Sequence, residues 1–150
     1  MPAEGMVHAL RRATDLVTPR GLLIDLHPTP DIAHLAIVFP DGTAETIGIV
    51  HSDTAVERHT NADAAVAAAL TEGFVWRERA DIFLFSRYCD SLDELVAYVE
   101  TKWTAWFDTV ALDKARNQLR PGCQLRLSER VSISALRRVT SSERRAASDQ

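Results

Sequence analysis

Residues 19–28, Pro19-Arg20-Gly21-Leu22-Leu23-Ile24-Asp25-Leu26-His27-Pro28, constrain the chain more than any other stretch. A Pro–Gly break follows a helical pattern. The next five residues are apolar except for Asp25, and the run stops at His27 against Pro28. A short apolar run between turn residues reads as a strand buried on both faces, for which parallel pairing is usual. Alternation puts Leu23, Asp25 and His27 on one side and Leu22, Ile24 and Leu26 on the other. Two titratable groups at the exit of such a strand stand where open α/β sheets place ligands.

Around this strand the remaining elements follow in order. Met6, Ala9, Leu10, Ala13, Leu16 and Val17 recur at helical spacing over residues 4–17, and Thr18-Pro19 ends that helix. Residues 34–39 and 43–50 are extended runs around Pro40-Asp41-Gly42, a hairpin signal. The polar residues 53–61 read as a loop or loose first turn, and the alanine-rich residues 62–70 as a helix closed by Gly73. Residues 74–88 form a long strand. Ser91-Leu92-Asp93-Glu94 is a capping box that opens a helix running toward Trp103 and Trp106. A further helix spans 108–119. From Cys123 the odd positions Leu125, Leu127, Glu129, Val131 and Ile133 alternate with polar even ones, so one face is buried and the strand is antiparallel. Residues 140–150 are polar and charged and are expected to be disordered.

The 150 residues suit one domain, taken as residues 1–139. A net charge of −4 gives no reason to expect nucleic acid or an anionic membrane as partner. The basic tail residues Arg137, Arg138, Arg144 and Arg145 have no interleaved aromatics and read as solvated. No apolar run reaches bilayer length, and the amino terminus lacks the sections of a signal peptide. Cys89 and Cys123 are too few for a disulfide scaffold, which places the protein in a reducing cytoplasm.

The order helix, strand, hairpin, helix, long strand, helices, long strand resembles the C-terminal half of class I S-adenosylmethionine-dependent methyltransferases. The helix of residues 9–17 and the turn Pro19-Arg20-Gly21 before Leu22 look like that family's entry to its fifth strand. Residues 74–88 would match strand six. Residues 123–136 would match strand seven, which in the family inserts antiparallel between five and six. The resemblance implies an α/β or α+β fold with a small mixed sheet: a truncated Rossmann-type methyltransferase fold, with an inserted β-hairpin and helices 91–119. The cofactor half has no counterpart. The six glycines never occur as Gly-x-Gly, and nothing upstream of residue 22 supplies strands one to four. No residue is carried over as a cofactor ligand, so S-adenosylmethionine is expected only if a partner supplies the missing half.

Without strands one to four, residues 22–26 become an apolar sheet edge that needs cover. A homodimer through residues 22–26 or through the hairpin 34–50, or a protein partner, would provide it. Candidate site residues are Asp25 and His27, spaced for acid/base work, and Glu129, a carboxylate on an apolar face. Each also has a structural reading: a backbone cap for Asp25, a turn filler for His27, and for Glu129 an ion pair with Arg77, Arg79 or Arg87. Neither Cys89 nor Cys123 has an adjacent histidine to activate it, and both read as small thiols in the core. Trp76, Trp103, Trp106 and Phe107 read as core or as a pocket wall. His34, His51 and His59, with Asp53 and Glu57, lack the close pairing of a zinc site, and no metal is expected. The functional expectation is a noncatalytic or accessory methyltransferase-like domain, dimeric and cytoplasmic, with a small-molecule cleft near His27. The alternatives are a small enzyme using Asp25 and His27, or one subunit of a split methyltransferase.

Overall fold

Gly21 N donates to Thr18 O at 2.8 Å, closing the turn between the first helix and the first strand. A Cβ on Gly21 would stand 2.5 Å from Val17 Cγ1 and 3.0 Å from Thr18 O, so this tight entry requires glycine. A computed structural model describes residues 3–19 and 21–140. The tail expected beyond residue 140 lies outside the described residues. The chain divides into two compact units, one built from the segments up to Thr29, Glu57–Phe83 and onward from Val131, the other from Pro30–Val56 and Leu84–Arg130.

In the first unit, helix α1 (Ala3–Leu16) leads into strand β1 (Leu22–Pro28), and helix α2 (Ala55–Thr71) leads into β4 (Val75–Cys89). The last strand, β6 (Gln124–Arg138), pairs antiparallel with β1, with Leu22 opposite Arg137 and Pro28 opposite Val131. It also pairs with β4, where Val139 N donates to Phe74 O at 3.1 Å. The local order is therefore β1-β6-β4. Leu23, Val75 and Leu136 pack with Leu10 of α1 and Val66 and Ala69 of α2 into one apolar cluster. Each large side chain fully buried there contributes roughly 1.5–3 kcal/mol. Arg138 of β6 donates to the carbonyls of Asp15 and Val17, giving the end of α1 the cation that its own last turn lacks.

The second unit is built on the hairpin of β2 (His34–Val38) and β3 (Ala44–His51). Asp41 Oδ1 accepts from Thr43 N at 2.9 Å, and Gly42 takes φ +84°, which fixes the turn. The Thr43 hydroxyl, which donates to the same oxygen at 2.6 Å, and after it the Thr43 amide hold the Asp41 carboxyl below its ordinary range. β2 pairs antiparallel with the first part of β6, and β3 pairs with the short β5 (Trp106–Phe107). Ser91 caps helix α3 (Leu92–Tyr98), its Oγ accepting from Glu94 N at 3.2 Å, the serine half of the expected capping box, while the Glu94 carboxylate faces Arg87. A π-helical turn (Val99–Trp103) continues the helix to Thr104, which closes it at φ 52°. Asp108 then caps helix α4 (Thr109–Gln118), accepting from Ala111 N. Leu35, Ile37, Leu125 and Leu127 of the strands pack with Leu95 and Val99 in the core.

The class is α+β, as the pattern of strands and helices indicates, and the described strand pairs are antiparallel. That corrects the parallel, doubly buried reading of β1. Leu22, Ile24 and Leu26 are exposed while Leu23, Asp25 and His27 are partly covered, so β1 has one sheltered side. The apolar run misled because its wholly apolar face is the exposed one, while the face carrying Asp25 and His27 is the sheltered one. The alternation expected throughout β6 holds only in its first part. Leu125 and Leu127 are buried at odd positions, then Ser134 and Leu136 at even ones, because each part of the strand serves a different core. Helix α2 begins seven residues ahead of the expected start at Ala62, and β5 is an addition.

Candidate functional site

Asp25 and His27 point to the same side of β1, two residues apart, and α2 brings Asp63 to meet them. Asp25 Oδ2 lies 2.8 Å from His27 Nδ1, and Asp63 Oδ1 lies 2.8 Å from His27 Nε2. A carboxylate can only accept, so both ring nitrogens donate and the imidazole is an imidazolium. The His27 side chain is 12 % exposed. Its pKa is raised to about 9, chiefly by the hydrogen bond to Asp25, with Asp63 adding to it and burial opposing both.

One helical turn before Asp63, His59 donates its Nδ1 proton to Thr29 O at 3.1 Å. Burial pushes the His59 pKa down, and the nearby charges of Arg58 and His27 push it further the same way, so this ring stays neutral beside the cationic one. The cluster therefore couples a charged histidine on a strand to a neutral one on a helix. Chemically it is a clamp: one buried cation between two anions, tying β1 to α2.

A general base at neutral pH needs a free ring nitrogen, and His27 has none. Glu129, the third candidate, belongs to the other unit and is half-buried on β6. Asp63 is the member that sequence reading missed. Its signal was the spacing of four between His59 and Asp63, which becomes one helix face only once α2 is known to begin at Ala55.

The remaining candidates are dispersed. His51 Nε2 approaches Asp108 Oδ2 at 3.4 Å and its ring stacks on Trp106, while Trp103 meets Tyr98 edge-on. Trp76 lies 5.7 Å from the Arg137 guanidinium. Cys89 and Cys123 are free thiols, and burial raises the pKa of Cys89. Among the described residues no group of three or more His, Cys, Asp and Glu is placed to hold a metal. No described helix is long and apolar enough to cross a membrane.

The glycines outside α1 serve local geometry. Gly42, Gly73 and Gly122 spend their positive φ on a hairpin, a helix end and the turn before β6, Gly21 serves the entry to β1, and Gly48 packs on Ala111. The chain is an α+β protein with a His27 clamp, and no family model, curated protein or solved structure matches it.

Proposed function

We propose that this chain is a methyltransferase-like half-domain with a noncatalytic, accessory role, acting by association rather than by chemistry of its own. The observation that carries the reading is the strand order β1-β6-β4, with the last strand antiparallel between the other two. Class I methyltransferases give the same arrangement to their fifth, seventh and sixth strands, entered by a helix and a Pro–Gly turn. Two features favour the accessory role over the acid/base alternative. His27 is held as a cation by Asp25 and Asp63, and every glycine outside α1 is committed to a turn or a close contact. S-adenosylmethionine enters this reading only through strands supplied by a partner.

Calorimetric titration of the isolated chain with S-adenosylmethionine tests it. No saturable heat is expected at up to on the order of 1 mM ligand. Binding in the micromolar range would contradict the noncatalytic reading.

A further inference from the structure

In the first unit β1 and the last part of β6 have one face packed on α1 and α2 and the other bare, while β4 beyond Val75 is exposed on both faces. On β1 the bare face carries Leu22, Ile24 and Leu26, exposed by 45 %, 55 % and 58 %. Opposite Ile24 and Leu26 stand Ala135 and Ile133 of β6, and opposite Leu22 stands Arg137. Arg137 reaches across to the Trp76 ring and to the Glu78 carboxylate of β4, which places those even positions on the same face. Ala80 and Ile82 continue the row, and Ile24, Ala80, Ile133 and Ala135 line one shallow depression together with Arg79 and Asp81. Trp76 is exposed by 43 % and Ile82 by 50 %.

From this we infer that a second copy of the chain packs on this face, two sheets meeting bare side to bare side across a twofold axis. Two observations select a second copy as the occupant. The first is area. Five large side chains about half exposed leave on the order of 400 Å² of apolar surface, taking roughly 150 Å² for each whole side chain, the low end of the aromatic range, because four of the five are aliphatic. A standard interface covers about 800 Å² per partner, of which roughly two thirds is apolar in homodimers, so this face supplies most of what such an interface needs.

The second is charge. The chain is net negative, yet the charges at this face balance: Arg137 pairs with Glu78, and Arg79 and Asp81 at the edge of the depression carry opposite signs. Two such faces meet without like-charge repulsion, and a twofold contact requires a surface compatible with itself. Sheets stacked this way sit about 10 Å apart with their side chains interleaved.

The inference names the partner of the accessory role proposed above but does not use the methyltransferase kinship, so cofactor titration and self-association can fail separately. The test is light scattering on the full chain, loaded at on the order of 10–100 µM to span a micromolar Kd. The expected mass is twice that of one chain. Ile24→Glu on β1 and Ile82→Glu on β4 should each weaken the dimer at least tenfold with the far-ultraviolet dichroism unchanged. Val110→Glu, at an equally exposed position on α4, should leave it intact. If a glutamate variant does not fold, threonine at the same position replaces it and should weaken the dimer at least fivefold. A wild-type monomer throughout that range overturns the inference. So does a dimer that either face substitution leaves unchanged, including one sensitive at Ile24 alone, which would indicate pairing along the β1 edge.

Discussion

Gly48 of β3 lies against Ala111 of α4 so closely that a Cβ on the glycine would stand 2.4 Å from the alanine's own Cβ. Neither contact atom is the end of a flexible side chain, so the helix can sit at this depth only while both residues are small. The neighbours Leu35, Ile47 and Ala115 are buried around it.

Gly48→Ala should therefore destabilise the chain by about 1–3 kcal/mol, the usual cost of overpacking, despite the better strand propensity of alanine. Urea unfolding followed by circular dichroism reads this as a lower midpoint at unchanged slope. A neutral or stabilising result would mean that α4 does not pack at this distance.

Ser91→Ala removes the side-chain acceptor for the Glu94 amide at the start of α3. A loss of about 1 kcal/mol is expected, with Ser91→Asp close to wild type because aspartate caps equally well. The same unfolding curves check it, and equal losses in both variants would point away from capping.

Arg138 supplies the carbonyls at the end of α1 from a strand 121 to 123 residues away. Arg138→Ala should cost about 1 kcal/mol and speed amide exchange in the last turn of α1 relative to its first. Uniform exchange along the helix would contradict the assignment.

The elements that local chemistry decides were legible in the sequence. The hairpin at Pro40-Asp41-Gly42, the Ser91 cap and the Pro19–Gly21 break each fix their own backbone, and each stands where its residues put it. Which face of β1 and β6 is covered was not. Leu22, Ile24 and Leu26 resemble core residues, and no local rule reports that their face is bare. The phase change along β6 depends on which helices cover each part of the strand, a tertiary fact. Asp25 and His27 were visible as a pair through their spacing, whereas treating residues 53–61 as loop hid that His59 and Asp63 share one face of α2.

The His27 clamp gives stability a defined pH dependence. The folded pKa lies near 9 against an ordinary 6.5, so the native state holds this proton more tightly than the unfolded chain. Its stabilisation is complete below about pH 6.5 and is lost as pH rises through 9. His59 acts in the opposite sense: its lowered pKa means that acid below its ordinary range favours the unfolded chain. The melting temperature of the wild type should thus exceed that of His27→Gln most near pH 6.5, with the gap closing toward pH 10. A gap that widens with pH would reverse the assignment.

The claim that bears most weight is that His27 is a fixed cation between Asp25 and Asp63, leaving no free imidazole there to act as a base at neutral pH. Histidine side-chain NMR across pH 5 to 11 tests it directly, with His27→Gln assigning the signal. Both ring nitrogens should be protonated at pH 7 and the midpoint should fall near 9. A single neutral tautomer at pH 7, with a midpoint at or below 6.5, would contradict the account and return Asp25 and His27 to acid/base chemistry.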